Sequence, residues 1–135
     1  MTNKIYVADT HTLLWHLFDP SRLSPIAFQA FQEVGQNEAL LHLPAVVIAE
    51  ALMIIEKKRI QGTQAQFEQL LQQMNTSDNY RIGQLHLAIV LKAAQYTQIK
   101  DIFDRLIVAE AVALNALLIT RDEEIIASQL ASILW

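Results

Sequence analysis

Four carboxylates in this chain stand where carboxylates are costly. Asp9 ends the apolar run Ile5-Tyr6-Val7-Ala8, and Asp122 follows by two residues the apolar run Ala116 to Thr120. Glu50 is the only charged residue between Leu43 and Ile55, and its neighbours one helical turn away are Val46, Val47, Met53 and Ile54. Asp104 lies within Ile102-Phe103-Asp104-Arg105-Leu106-Ile107-Val108. A lone carboxylate in such company is strongly disfavoured unless it takes up a proton, meets a cation or accepts hydrogen bonds. If the four share one pocket they repel one another, and the pocket is tolerable only with bound cations or shifted pKa values. Ligation by oxygen alone suits Mg2+ or Mn2+ rather than zinc. Such a centre orients a water and neutralises charge developing on a phosphodiester, so hydrolysis of a nucleic-acid backbone is the chemistry that follows.

Each acid also has a plainer explanation. Asp9 and Asp122 are well placed to cap the helices expected after them. Asp104 reads equally as a first-turn acid behind an Asp101 cap, stabilised by the helix dipole. Glu50 reads as a structural ion pair or as an edge position that reaches water. The conjunction of the four, more than any one, points to a site.

The elements that must position these residues alternate between strand and helix. Strands are expected at Ile5 to Ala8, Ala39 to Leu43, Tyr80 to Gln84 (weakened by Gly83), Ala116 to Thr120 and Ile133 to Trp135. Helices are expected from Thr10 to Phe18, from a Ser24 cap to a Gly35 stop, from Pro44 to about Arg59, and from a Thr63 cap to about Met74. Three more follow, at Leu85 to Tyr96, Ile102 to Leu114 behind Asp101, and from an Asp122 cap to about Leu130. This alternation implies right-handed crossovers and a mostly parallel sheet covered on both faces, within a single domain over residues 1–135. Ligands of such sheets gather beyond the carboxyl ends of the strands, where Asp9 and Asp122 fall if their strands are parallel neighbours.

Composition removes other answers. The chain has 135 residues, 53% of them hydrophobic, and no cysteine. Disulfide scaffolds, thiolate metal sites and thiol nucleophiles are excluded, and an intracellular protein is expected. Glycine occurs only at Gly35, Gly62 and Gly83, so neither a dinucleotide fingerprint nor a P-loop can be written. No charged-then-apolar leader opens the sequence, which reads as soluble. Ten basic and 14 acidic residues give a formal net charge of -4, which argues against a broad polyanion-binding surface. The acid excess equals the number of candidate ligands, so RNA met at a metal-neutralised site remains compatible with it.

At these residues the sequence resembles the PIN-domain nucleases, most closely the small VapC-type toxins of bacterial toxin-antitoxin pairs. The matching stretches are Asp9-Thr10-His11-Thr12-Leu13-Leu14-Trp15, Arg22-Leu23-Ser24-Pro25, and Leu43-Pro44-Ala45 leading to Glu50. Phe103-Asp104-Arg105-Leu106-Ile107-Val108-Ala109 and Leu118-Ile119-Thr120-Arg121-Asp122 complete the set, in order along nearly the whole chain. Ala49 stands where relatives often carry an aromatic residue, and Ile102 where they often carry proline. The resemblance implies a three-layer α/β/α fold and a metal-dependent endoribonuclease. Its acidic quartet falls on Asp9, Glu50, Asp104 and Asp122, with Thr120 at a supporting hydroxyl. It further implies Mg2+ or Mn2+ as cofactor, an RNA substrate, a cognate antitoxin protein, a homodimer and a cytoplasmic location, with no membrane association. The alternative from another class is a catalytically silent PIN-fold module that binds a protein partner. A receiver domain is disfavoured, because Ala8 precedes Asp9 where paired acids are needed and Arg121 follows the late strand where lysine is needed.

The remaining polar residues divide between plain and functional readings. His11, His16, His42 and His86 lack paired spacing, and a partly buried packing role is expected for His11. Lys57-Lys58-Arg59 reads as a solvated helix end, with phosphate contact as the alternative. Arg105 and Arg121 are expected to pair with neighbouring acids rather than hold phosphate. The apolar positions around Leu52 and Ile55 are compatible with an interface.

Overall fold

In the computed structural model, which describes residues 4–135, one sheet is built from β1 (Ile5–Ala8), β2 (Leu40–Leu43), β3 (Tyr80–Ile82), β4 (Leu117–Ile119) and β5 (Ser132–Leu134). Their order is β3-β2-β1-β4-β5, and every neighbouring pair is parallel. Helices α1 (Thr10–Phe18), α2 (Pro25–Gly35), α3 (Ala45–Glu56), α4 (Gln64–Asn75), α5 (Leu87–Ala94), α6 (Ile102–Ala113) and α7 (Glu123–Ser128) fill the connections. The result is the α/β/α sandwich expected from the alternation. The inner strands read as unbroken apolar runs because both of their faces are covered, and Val7, Ala8, Leu41, Leu43, Leu118 and Ile119 have no exposed surface.

Helix starts follow the side-chain signals. Asp9, Ser24, Asp101 and Asp122 each accept from a backbone N–H of the turn they open, and Thr63 forms a reciprocal capping box with Gln66. Helix ends do not follow the glycines. The expected stop at Gly35 is the last turn of α2, and the residue that turns the chain is Asn37, with φ 60°. Helix α3 ends at Glu56 instead of running on to Arg59, because Lys58 takes a left-handed conformation with φ 55°. There Arg59 N–H donates to Ile54 C=O at 3.2 Å and Lys58 N–H to Ile55 C=O at 3.0 Å, a Schellman closure. The same pair of bonds closes α2 around Asn37 and α6 around Asn115. Helix α5 is also shorter at both ends than the Leu85 to Tyr96 span expected.

Glycine instead marks close approach. A Cβ on Gly62 would stand 2.5 Å from the Phe18 ring, and one on Gly83 would stand 2.5 Å from His42 Nε2 and 2.9 Å from Glu110 Oε2. The chain lays down β1, β2 and β3 outward in one direction and then crosses to β4 on the other side of β1. That reversal separates the crossovers beside the carboxyl ends of β1 and β4, and a crevice opens there. Among the described residues no helix is long and apolar enough to cross a membrane.

Candidate functional site

The β1–β4 register pairs Ala8 with Ile119, so the residues just beyond them, Asp9 and Thr120, emerge side by side. The Thr120 hydroxyl donates to the Asp9 carboxylate and accepts from Asp122 N–H at 3.0 Å. One buried threonine thus ties together two acids that are far apart in sequence. Asp9 Oδ1 accepts from Thr12 N–H at 3.0 Å, and Asp122 Oδ1 from Ile125 N–H at 2.9 Å. Both are helix caps, as the plain reading expects, and both also line one and the same cavity.

Glu50, half-buried on α3, is in no ion pair among the described residues. Its Oε1 accepts from the hydroxyl of Thr10, the first residue of α1, at 2.7 Å. Asp104 occupies the first turn of α6 behind Asp101, whose Oδ1 accepts from Phe103 N–H at 2.7 Å and Asp104 N–H at 3.2 Å. The crossing of α1 with α3 and of α3 with α6 carries these side chains toward the switch point. Asp9, Glu50, Asp104 and Asp122 line one cavity of about 190 Å³, together with Thr10, His11, Ile54 and Asp101.

Five acids and no lysine or arginine line that cavity, and their electrostatics reflect it. Burial, and then the charges of Asp101, Asp122, Glu50 and Asp9, push the Asp104 carboxyl up to about 7. Burial raises Glu50 too, against the Thr10 hydrogen bond and with help from Asp101 and Asp9. Burial raises Asp9 against the bonds from Thr12 and Thr120 that favour its charged form.

Among the described residues no three His, Asp or Glu side chains are grouped so that they would hold a metal ion as they stand. The donor set nevertheless fits a hard divalent cation: carboxylate oxygens around a cavity with no lysine or arginine. Mg2+ in particular is held by one or two carboxylates and keeps much of its water, so it does not require a preformed cage.

Sequence reasoning missed Thr10, which orients Glu50, and the inward face of Asp101. A hydroxyl directly after a strand-end aspartate was the available signal for Thr10. His11 is exposed at the cavity mouth, not partly buried, its ring 5.8 Å from that of Trp15. Neither Arg105 nor Arg121 pairs with an acid. Arg105 Nε donates to the Ile99 carbonyl, and the Arg121 guanidinium lies 4.5 Å from the centre of the Trp15 ring. Ile55 belongs to the core, and the exposed apolar residue of α3 is Met53. The acid the sequence did not flag is Glu110, buried on α6 and bonded to buried His42 at 2.5 Å.

A family model for the PIN domain matches residues 6–129. No curated protein matches the sequence. Among solved structures, the chain is similar to VapBC2 from Rickettsia felis, bound to a DNA fragment from its promoter, with 16% identity, 96% of each chain covered and a TM-score of 0.70. It is similar to PAE2754 from Pyrobaculum aerophilum at 18% identity, over 97% of this chain and 83% of that one, with a TM-score of 0.62. FitAcB from Neisseria gonorrhoeae aligns at 16% identity over 95% of both chains, with a TM-score of 0.61. At these identities the likeness is one of fold.

Proposed function

The chain belongs to the PIN-domain family, whose members are generally nucleases that use divalent metals, and from that premise we propose that it is a Mg2+- or Mn2+-dependent endoribonuclease. The observation that carries this reading is the convergence of Asp9, Glu50, Asp104 and Asp122 on one cavity at the sheet's switch point, with no lysine or arginine in its lining. A divalent ion there would supply charge neutralisation for the phosphodiester and an activated water.

The chain's own residues do the rest. Asp9, Asp104 and Asp122 are the metal-holding carboxylates. Glu50, oriented by the Thr10 hydroxyl, holds metal or positions the attacking water. Thr120 fixes the Asp9 carboxylate with the bond it donates and the Asp122 backbone with the bond it accepts, so the ligands from β1 and β4 keep one spacing.

The likeness to VapBC2 and FitAcB supports the toxin role, with a cognate antitoxin as partner, that the family resemblance implies. A homodimer is supported by an apolar stripe on α5, where Leu87 and Leu91 are 72% and 58% exposed one turn apart. The test compares RNA cleavage by wild type and Asp104→Asn at equal concentration, with and without Mg2+. Cleavage by wild type that needs Mg2+ and is lost in the variant is expected; equal cleavage by both proteins overturns the reading.

A further inference from the structure

Beyond the acid cavity the lining gains cations. A second cavity, about 370 Å³, shares His11, Glu50, Ile54 and Asp101 with the first and adds Lys57, Arg59 and Phe103. A third, about 420 Å³, shares His11, Ile54 and Arg59 with the second and adds Phe18, Arg22 and Gln61 among others. The three adjoin in series, and His11 lines all of them. The inner end carries five acids and no lysine or arginine, the second cavity sets Lys57 and Arg59 against Glu50 and Asp101, and the third carries Arg59 and an Arg22 paired with Asp19.

The cations are there because of how α3 stops. Had the helix run on to Arg59, the side chains of Lys57 and Arg59 would have continued around its axis. The left-handed Lys58 folds Arg59 back over Ile54 instead, toward α1. Gly62 then brings the same segment down onto the ring of Phe18, which lines the third cavity. Lys57 and Arg59 are exposed, and neither is in an ion pair among the described residues, whereas Arg22 is held 3.2 Å from Asp19. In a chain of net charge -4, two uncommitted cations beside an acid-lined pocket are a local anion-binding feature.

We propose, resting on the nuclease reading above, that this groove holds the single-stranded RNA flanking the cleaved bond. Lys57 and Arg59 take the phosphates of the adjoining nucleotide, and the third cavity receives its base. That cavity lies within the size range of about 300–1,000 Å³ that accepts a small organic group, and its mixture of apolar wall with a few polar side chains suits a nucleobase. Gln61 and Arg22 stand where they read the base edge. A paired base would have to be unstacked and flipped out at an energetic cost, so the groove favours unpaired RNA.

The test measures binding of a short fluorescent RNA of mixed sequence, single-stranded or annealed to its complement, over a salt series. An Asp104→Asn background prevents cleavage. Adding Arg59→Ala is expected to raise the single-strand Kd about tenfold, and to lower the slope of log Kd against log salt by about 0.7, the value for one lost phosphate contact. Lys92→Ala also removes one positive charge but lines none of the three cavities, and it leaves both quantities unchanged. Equal losses in the two variants, no loss in either, or an equal Arg59→Ala effect on the duplex overturns the groove assignment. So does an Arg59→Ala effect confined to inhibition by the antitoxin. Failure of wild type to cleave RNA with Mg2+, while the Arg59→Ala effect on binding persists, overturns the nuclease reading and leaves the groove standing.

Discussion

Two regions of this molecule bury carboxylates, and they settle the resulting charge in opposite ways. On α6, Glu110 is 6% exposed and meets the His42 ring of β2 at 2.5 Å, so tightly that Gly83 beside them has no room for a Cβ. At the ends of β1 and β4, five acids face one cavity with hydroxyl and backbone donors, no lysine or arginine and only the exposed His11 imidazole at its mouth to answer them, and Asp104 is pushed up to about 7. In the first arrangement the carboxylate has an imidazole partner within the chain, although His42 Nδ1 itself is buried without a hydrogen bond among the described residues and the pair borders a cavity of about 440 Å³. The second is left open, and an acid cluster left open is the mark of a position kept for something the protein binds.

The largest expected effect tests the paired region. His42→Ala leaves the Glu110 carboxylate buried without its partner and should cost about 3–5 kcal/mol in urea unfolding, most of it recovered in the double variant His42→Leu/Glu110→Leu. A loss below about 1 kcal/mol would end the contrast drawn here. The open region should behave the other way: Asp104→Asn lowers RNA cleavage by about 10²–10³, or about 3–4 kcal/mol of activation free energy, with no loss of thermal stability. Next comes metal. Mg2+ at about 100 times its Kd should stabilise wild type by about 2.7 kcal/mol, and Asp9→Asn not at all. Thr120→Val, which keeps the shape but removes the bridging hydroxyl, should lower Mg2+ affinity or cleavage by about 10- to 100-fold.

The smallest effect is the pH dependence of the metal-free protein. Asp104 titrates at 3.8 when unperturbed and at about 7 when folded, so the folded state binds its proton more tightly. Stability therefore falls as pH rises from about 4 to about 7, and the penalty is complete above that range. Because Asp104 is only half-buried, solvent screening reduces the effect to about 1 kcal/mol, a few degrees of Tm. Thermal melts of wild type and Asp104→Asn across that range should show a steeper slope in wild type, the remainder in the variant coming from Asp9 and Glu50, which burial also raises.

The fold was legible because its signals are local. Apolar runs as short as Leu117–Ile119 and side-chain caps such as Ser24 and Thr63 state themselves in sequence. Helix stops were less so: Asn37, Lys58 and Asn115 end helices through a left-handed residue that glycine would fill more easily, and nothing in a lysine announces that conformation. The candidate site was legible in part. Acids amid apolar residues were visible, but the same criterion would have selected Glu110, which lies between Ala109 and Ala111. What separates Glu110 from Glu50 is the partner across the fold, an imidazole for one and the Thr10 hydroxyl for the other. Partners of that kind are properties of packing, invisible to spacing along the chain.

The bond from Thr120 to Asp9 joins residues 111 positions apart. Its consequence is one of timing during synthesis. A chain still emerging from the ribosome can carry Asp9, Glu50 and Asp104, yet it has no β4 to lie beside β1 and no Thr120 to fix the first aspartate. A chain stopped before Leu117 is expected to leave RNA intact in a cleavage assay with Mg2+. On the nuclease reading, the connection that orders the acids is made only after β4 has emerged.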